Sequence, residues 1–185
     1  MIEVFVWAFR DTDSWGHASM RVGGGTPPGP QYISWWPNGS RDSKWLSLGG
    51  KLYCAGVIPN QTFESDVRGE DRTLPSETIR LDGKTGNKAG LDETAIKTWW
   101  RKLSVAGTEW CTLGPNCSTI VAYALSVGGG DAYSNLWTAT NVVWTPSRVA
   151  EFARSIKTGI NMAQLPRAGG GPSQGLDGGL PPGGL

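Results

Sequence analysis

Cys117 stands in "LGPNCSTIVAYAL", directly after Pro115-Asn116 and ahead of an apolar stretch with helical spacing. Two readings compete for it. A free cysteine is among the residue types most often buried, where it behaves as a small hydrophobe. With Pro115-Asn116 as the entry to a helix, however, Cys117, Ile120, Val121, Ala124 and Leu125 share one face, and the sulfur falls in the first turn. Unpaired backbone N–H groups and the positive end of the helix dipole stabilise a thiolate there, which raises the reactive fraction at neutral pH. The same N–H groups can face a developing oxyanion.

A thiol nucleophile needs a base, and the chain holds a single histidine, His17. It stands in "WGHASMRV", where His17, Ser19 and Arg21 alternate with Ala18, Met20 and Val22 as in a strand. A structural role for a lone strand histidine is the competing reading. Glycine on one side and Ala18-Ser19 on the other leave room for a partner to approach the ring. A helix with cysteine at its N-terminal end, laid across a sheet that carries the histidine, can bring sulfur and imidazole within hydrogen-bond reach.

The elements that must hold this pair are legible in outline. "IEVFVWAF" reads as a largely buried strand, "HASMRV" as a second, and "QYISWWP", stopped by Pro37, as a third, with "GGGTPPGP" as the loop of an antiparallel hairpin. In the third strand Tyr32, Ser34 and Trp36 face one way, and Ile33 and Trp35 the other. "KLYCAGVIP" and "ETIRLD" read as further strands, and the polar stretch 60–76 between them as a surface loop. "LDETAIKTWWRKLSV" predicts a helix with Asp92 near its start. "WTPSRVAEFARSIKTG" predicts another, with Thr145 as N-cap, Pro146 at the first helical position and Gly159 closing it. The expected organisation is one α+β domain over residues 1–167, followed by a Gly/Pro-rich tail at 168–185 with too little apolar content to fold.

On these stretches the sequence resembles a circularly permuted member of the papain-like cysteine hydrolase and acyltransferase superfamily, which includes lecithin:retinol acyltransferase-like and NlpC-type proteins. "WGHASMRV" resembles the family's histidine strand, "YISWWP" the next strand with its third polar residue, and "NCSTIVAYAL" the Asn-Cys helix. The resemblance spans roughly residues 2–127. It implies a papain-like fold in which an antiparallel sheet carrying the histidine packs on a helix with the cysteine at its N-terminus. It further implies Cys117 as nucleophile, His17 as general base, and Ser34 at the position of the ring-orienting residue. Relatives often place a second histidine, an amide or an acid there, so Ser34 departs from the pattern, and packing or strand pairing is an equal reading of it. Asp11 and Asp13 are fallback orienters, for which the reading as turn residues is the stronger one.

The expected function is thiol-dependent cleavage or transfer at an amide or ester bond through an acyl-enzyme, with peptide or peptidoglycan amide hydrolysis preferred. A lipid acyltransferase or phospholipase is the alternative chemistry, and a non-catalytic Trp-rich glycan-binding module the alternative class. A toxin or effector domain delivered into another cell is a further reading. Ten tryptophans supply candidate groove walls: Trp15, Trp35 and Trp36 stand nearest the candidate site, with Asn116 beside the thiol, and filling a core is the competing role for each indole.

Lys and Arg number 17 against 16 Asp and Glu, with no basic stripe, which argues against a nucleic-acid partner. One histidine and scattered cysteines form no ligand cluster of ordinary spacing, so neither metal nor cofactor is expected. Three cysteines are sparse and odd, unlike a secreted disulfide framework; Cys54 is expected to face the core, and Cys111 stands close enough in sequence to suggest oxidation with Cys117. The start lacks the basic region and longer apolar core of a secretory signal, and no stretch has the length of an integral membrane segment. Cytoplasmic synthesis without a signal peptide is expected, compatible with export by a route that needs none.

Overall fold

The structure, a computed structural model, describes residues 1–10, 15–23, 29–38, 54–135 and 143–166. In chain order the elements are β1 (Ile2–Trp7), β2 (His17–Val22), β3 (Gln31–Ile33), β4 (Cys54–Ala55), α1 (Phe63–Gly69), β5 (Glu77–Leu81), α2 (Glu93–Val105), β6 (Trp110–Cys111), α3 (Cys117–Val127), a single 3-10 turn (Gly130–Ala132) and α4 (Pro146–Gln164). The architecture is α+β. Four strands form an antiparallel sheet in the order β3-β2-β1-β5, and β4 pairs with β6 in a separate two-residue ribbon.

Strand alternation divides the sheet into two faces. Ile2, Val4 and Val6 of β1 join Ala18, Met20 and Val22 of β2 in the main core, against Ile96 and Trp100 of α2, the apolar stripe of α3, and Val149, Phe152, Ala153, Ile156 and Ile160 of α4. The opposite face carries Phe5, Trp7, His17 and Tyr32, and α1 lies over it with Phe63 packed on Phe5 at 4.8 Å between ring centroids. Because both faces are covered, every residue of β1 is buried, which is why this strand reads as a nearly continuous apolar run.

The helices form where their caps dictate. Asn116 caps α3 by accepting from the Thr119 N–H, Asp92 caps α2 through Ala95, and Thr145 caps α4 with Pro146 at the first helical position. Gly128 and Gly129 stop α3. Gly159 does not close α4, which runs on to Gln164; it lies where the helix crosses the Tyr133 carbonyl too closely for a Cβ.

Three further expectations are corrected. Residues 60–76 are not a surface loop: Thr62 and Ser65 form a reciprocal capping box that starts α1 inside this polar stretch. Cys54 does not face the core; it is exposed, opposite Cys111 in the β4–β6 register, and bonded to it. Cys111 is therefore not available to Cys117, which is the free cysteine. The hairpin tip at 24–28, Asp11, Asp13 and the tail at 168–185 lie outside the described residues. No helix among the described residues is long and apolar enough to cross a membrane.

The close passage of α4 over Tyr133 reverses an ordinary substitution rule. In an open helix interior Gly→Ala stabilises by roughly 0.5–1 kcal/mol. Gly159→Ala is expected to destabilise instead, read as a lower urea midpoint; an unchanged or raised midpoint contradicts the contact.

Candidate active site

His17 begins β2, and the preceding Gly16 adopts φ +77°, a turn in which a side chain would strike the Trp7 carbonyl. The ring is buried, 1% exposed, on the α1 face of the sheet. Its Nε2 lies 3.1 Å from Ser34 Oγ and 3.2 Å from Asp66 Oδ2. Trp36 stacks on the ring at 4.3 Å between centroids with an interplanar angle of 24°. With Nε2 occupied, Nδ1 is the ring nitrogen left for Cys117, whose sulfur and the imidazole favour one another's charge.

Asp66 is the residue that sequence reasoning missed. Its side chain has no solvent exposure, and four donors surround it. Oδ2 accepts from Tyr32 OH at 2.7 Å and faces His17; Oδ1 accepts from Ser34 Oγ at 2.8 Å and Trp36 Nε1 at 2.7 Å. Ser19 Oγ, 2.7 Å from Tyr32 OH, backs the tyrosine and completes the network. The local signal was the cap Thr62-x-x-Ser65 followed by Phe63, Asp66 and Gly69 at helical spacing, which places ring, carboxylate and glycine on one face of α1. Gly69 is needed there because a Cβ would come within 3.0 Å of the Trp36 ring.

Ser34 is thus brought to the ring at hydrogen-bond distance, and it makes a second contact that the sequence did not suggest. It accepts from His17 and donates to Asp66, a hydroxyl bridging the ring to the carboxylate that holds it. Trp36 covers the histidine face and steadies the same carboxylate. Trp35 points to the opposite side, buried edge-on against Trp100 at 5.7 Å, with part of its surface in a groove. Trp15 is 44% exposed near the start of β2. Asn116 serves α3 itself: Oδ1 accepts from the Thr119 N–H and hydroxyl, and Nδ2 donates to the carbonyls of Thr112 and Trp144.

Charge follows from this packing. Burial of the imidazole works against its cation, but the Cys117 sulfur on one side and the Asp66 carboxylate on the other outweigh it, pushing the pKa up from 6.5 to about 10. Burial likewise opposes the Cys117 thiolate, and the His17 charge and hydrogen bond, helped by the Ala18 backbone N–H and the Ser118 hydroxyl, pull the thiol below its ordinary value. Asp66 is held below the usual carboxylate range despite burial, by the His17 charge and by hydrogen bonds from His17, Tyr32 and Trp36. Burial and the adjacent Asp66 push the Tyr32 phenol far up, so it stays protonated and donating. Each charge favours the other, so the packing favours a thiolate beside an imidazolium.

A groove of about 710 Å³ opens along the outer edge of β3, lined by Tyr32, Ser34, Trp35, Val57, Trp100 and Leu103 among others. Tyr32 and Ser34 belong both to this groove and to the carboxylate network. Among the described residues, Cys54, Glu109 and Cys111 are close enough to suggest metal ligands, but the two sulfurs are bonded to each other.

Fold and site together define an α+β protein with a half-buried thiol, a buried imidazole and a buried carboxylate in series. The chain belongs to the IcsB middle domain family, whose model matches residues 1–82 and 59–168. No curated protein and no solved structure matches it.

Asp66→Asn removes the charge that sustains the imidazolium while keeping the side chain's shape. Iodoacetamide labelling of Cys117 is expected to begin well below the ordinary thiol range in the wild type and to move toward that range in the variant. Superimposed pH profiles would show that Asp66 does not support the pair.

Proposed function

We propose that this chain is a cysteine-dependent acyl-transfer enzyme of papain-like arrangement. The observation that carries this reading is the Cys117 thiol at the start of α3, in contact with a histidine whose far nitrogen is held by Ser34 and Asp66. A structural cysteine needs no base, and a structural histidine needs no buried carboxylate with four donors. The order in the chain, histidine strand first and cysteine helix late, is also that of the circularly permuted superfamily members.

In the reaction the Cys117 thiolate attacks a carbonyl carbon and forms the C–S bond. The Thr119 N–H is taken by the Asn116 cap, which leaves the Cys117 and Ser118 N–H groups of the first turn of α3 to meet the developing oxyanion. The His17 imidazolium then gives its Nδ1 proton to the leaving group as the C–N or C–O bond breaks, leaving a thioester. Neutral His17 next takes a proton from water or an acceptor amine as it attacks the thioester carbonyl, and the released sulfur returns as thiolate.

A protonated His17 can supply the proton that an amine needs to leave, which is compatible with amide cleavage, and amide chemistry is broad in the resembled superfamily. Peptide or peptidoglycan amide hydrolysis is the preferred substrate reading.

The test uses a p-nitrophenyl acyl ester as activated probe. Wild type should gain the acyl mass on the Cys117 peptide, lose it to hydroxylamine, and turn over; Cys117→Ala should do none of these. His17→Ala should acylate on the order of 10²–10⁴-fold more slowly. Acyl transfer from phospholipid vesicles with none from peptide amides would reverse the substrate preference, and absence of a Cys117 adduct under all conditions would contradict the proposal.

A further inference from the structure

The Cys54–Cys111 bond lies outside the reacting groups, yet its two ends lead to opposite halves of the thiol–imidazole pair. From Cys111 the chain turns directly into the nucleophile. The Gly114 N–H donates to the Cys111 carbonyl at 3.1 Å, the Cys111 N–H to the Pro115 carbonyl at 3.2 Å, and Asn116 Nδ2 to the Thr112 carbonyl at 2.9 Å. The Gly114 carbonyl in turn accepts from Thr119 Oγ1 at 2.8 Å, tying this turn to the first turn of α3.

From Cys54 the chain runs the other way. Asn38 donates its N–H to the Gly56 carbonyl at 2.6 Å, and Ile58 donates to the Trp36 carbonyl at 3.0 Å, so residues 56–58 hold the strand extension that carries Trp36. Trp36 stacks on His17 and donates to Asp66. The disulfide therefore closes a covalent path from the backbone supporting the base to the turn supporting the thiol.

Among the described residues, the backbone pairing that joins these segments is short, although Val57 and Trp110 beside it both pack on the core. β4 and β6 are two residues each, too short to persist unaided as a ribbon. Neither Cys54 nor Cys111 belongs to the core cluster, and Cys54 is exposed, so the bond is open to small reductants and its loss leaves the core packing in place.

We infer that the Cys54–Cys111 bond is a redox clasp on the active site: oxidised, it holds the Cys117 turn against the His17–Trp36 side, and reduced, it lets the two separate and the enzyme slow. The inference rests on the reading of Cys117 as a nucleophile. The reductant is a dithiol. One of its thiolates attacks a disulfide sulfur, its second thiol displaces the mixed disulfide, and two electrons and two protons pass from the dithiol to Cys54 and Cys111.

The experiment measures iodoacetamide incorporation at pH 6, peptide by peptide by mass spectrometry, in oxidised wild type, in wild type reduced by dithiothreitol and then desalted, in reoxidised wild type, and in Cys54→Ser/Cys111→Ser. Far-UV and near-UV circular dichroism accompany each sample. The expected result is Cys117 labelling about tenfold slower or more after reduction, the effect of a tenfold smaller thiolate fraction. Reoxidation should restore the rate, and the double variant should match the reduced protein with its fold retained. Equal rates in oxidised and reduced protein overturn the clasp and leave the proposed chemistry standing. Global loss of structure on reduction also overturns it, because the bond is then a plain stabiliser. A Cys117 slow to react in every state, including the oxidised one, overturns the reading of the site and this inference with it.

Discussion

A carboxylate removed from water must be met by donors or lose its charge, and Asp66 is met by four: Tyr32, Ser34, Trp36 and His17. Each donor comes from the sheet side, while the acceptor comes from α1, so the network fixes that helix on the face opposite the main core. The interaction is reciprocal. The ionised carboxylate stabilises the imidazolium, the imidazolium stabilises the Cys117 thiolate, and the thiolate returns the favour to the ring. Burial alone disfavours all three charges, and the imidazolium is the counter-ion that favours both the carboxylate and the thiolate.

The two faces of the sheet thereby divide the work. The face toward α2, α3 and α4 carries the aliphatic core and sets α3 at a fixed height over β2. The α1 face carries the aromatic and polar residues that tune His17. Cys117 belongs to the first layer and His17 to the second, and they meet where α3 begins and β2 begins. Gly16, with its positive φ, permits the strand to start at that point, and Asn116 permits the helix to do so.

How much of this was legible in the sequence depends on whether the signal was local. Asn116 before an apolar helix and His17 in an alternating strand are local patterns, and both reactive residues stand where those patterns put them. The same holds for β1, β5 and the starts of α2 and α4. Asp66 was hidden because a seven-residue helix leaves little periodicity, and a buried carboxylate in a polar stretch looks like a solvated one until its donors, more than thirty residues away in three of four cases, are in place. Ser34 was found as a position but not as a bridge, since its second partner was unknown. The Cys54–Cys111 bond was hidden for a similar reason: it depends on the pairing of two-residue strands 57 positions apart. Gly159 misled because a glycine required by a neighbour's close approach looks in sequence like a glycine that ends a helix.

The most direct test of the account uses the fact that His17 is the chain's single histidine. Protein labelled with ¹⁵N-histidine gives ring nitrogen signals from one residue, and their shifts report protonation of Nδ1 and Nε2 separately. The account predicts both nitrogens protonated from pH 6 through pH 8, with deprotonation near 10. It also predicts a marked fall in that value once Cys117 is replaced by alanine, because the ring then loses its thiolate partner while remaining buried. A neutral single tautomer at pH 7, titrating near 6.5 and indifferent to Cys117, would contradict it.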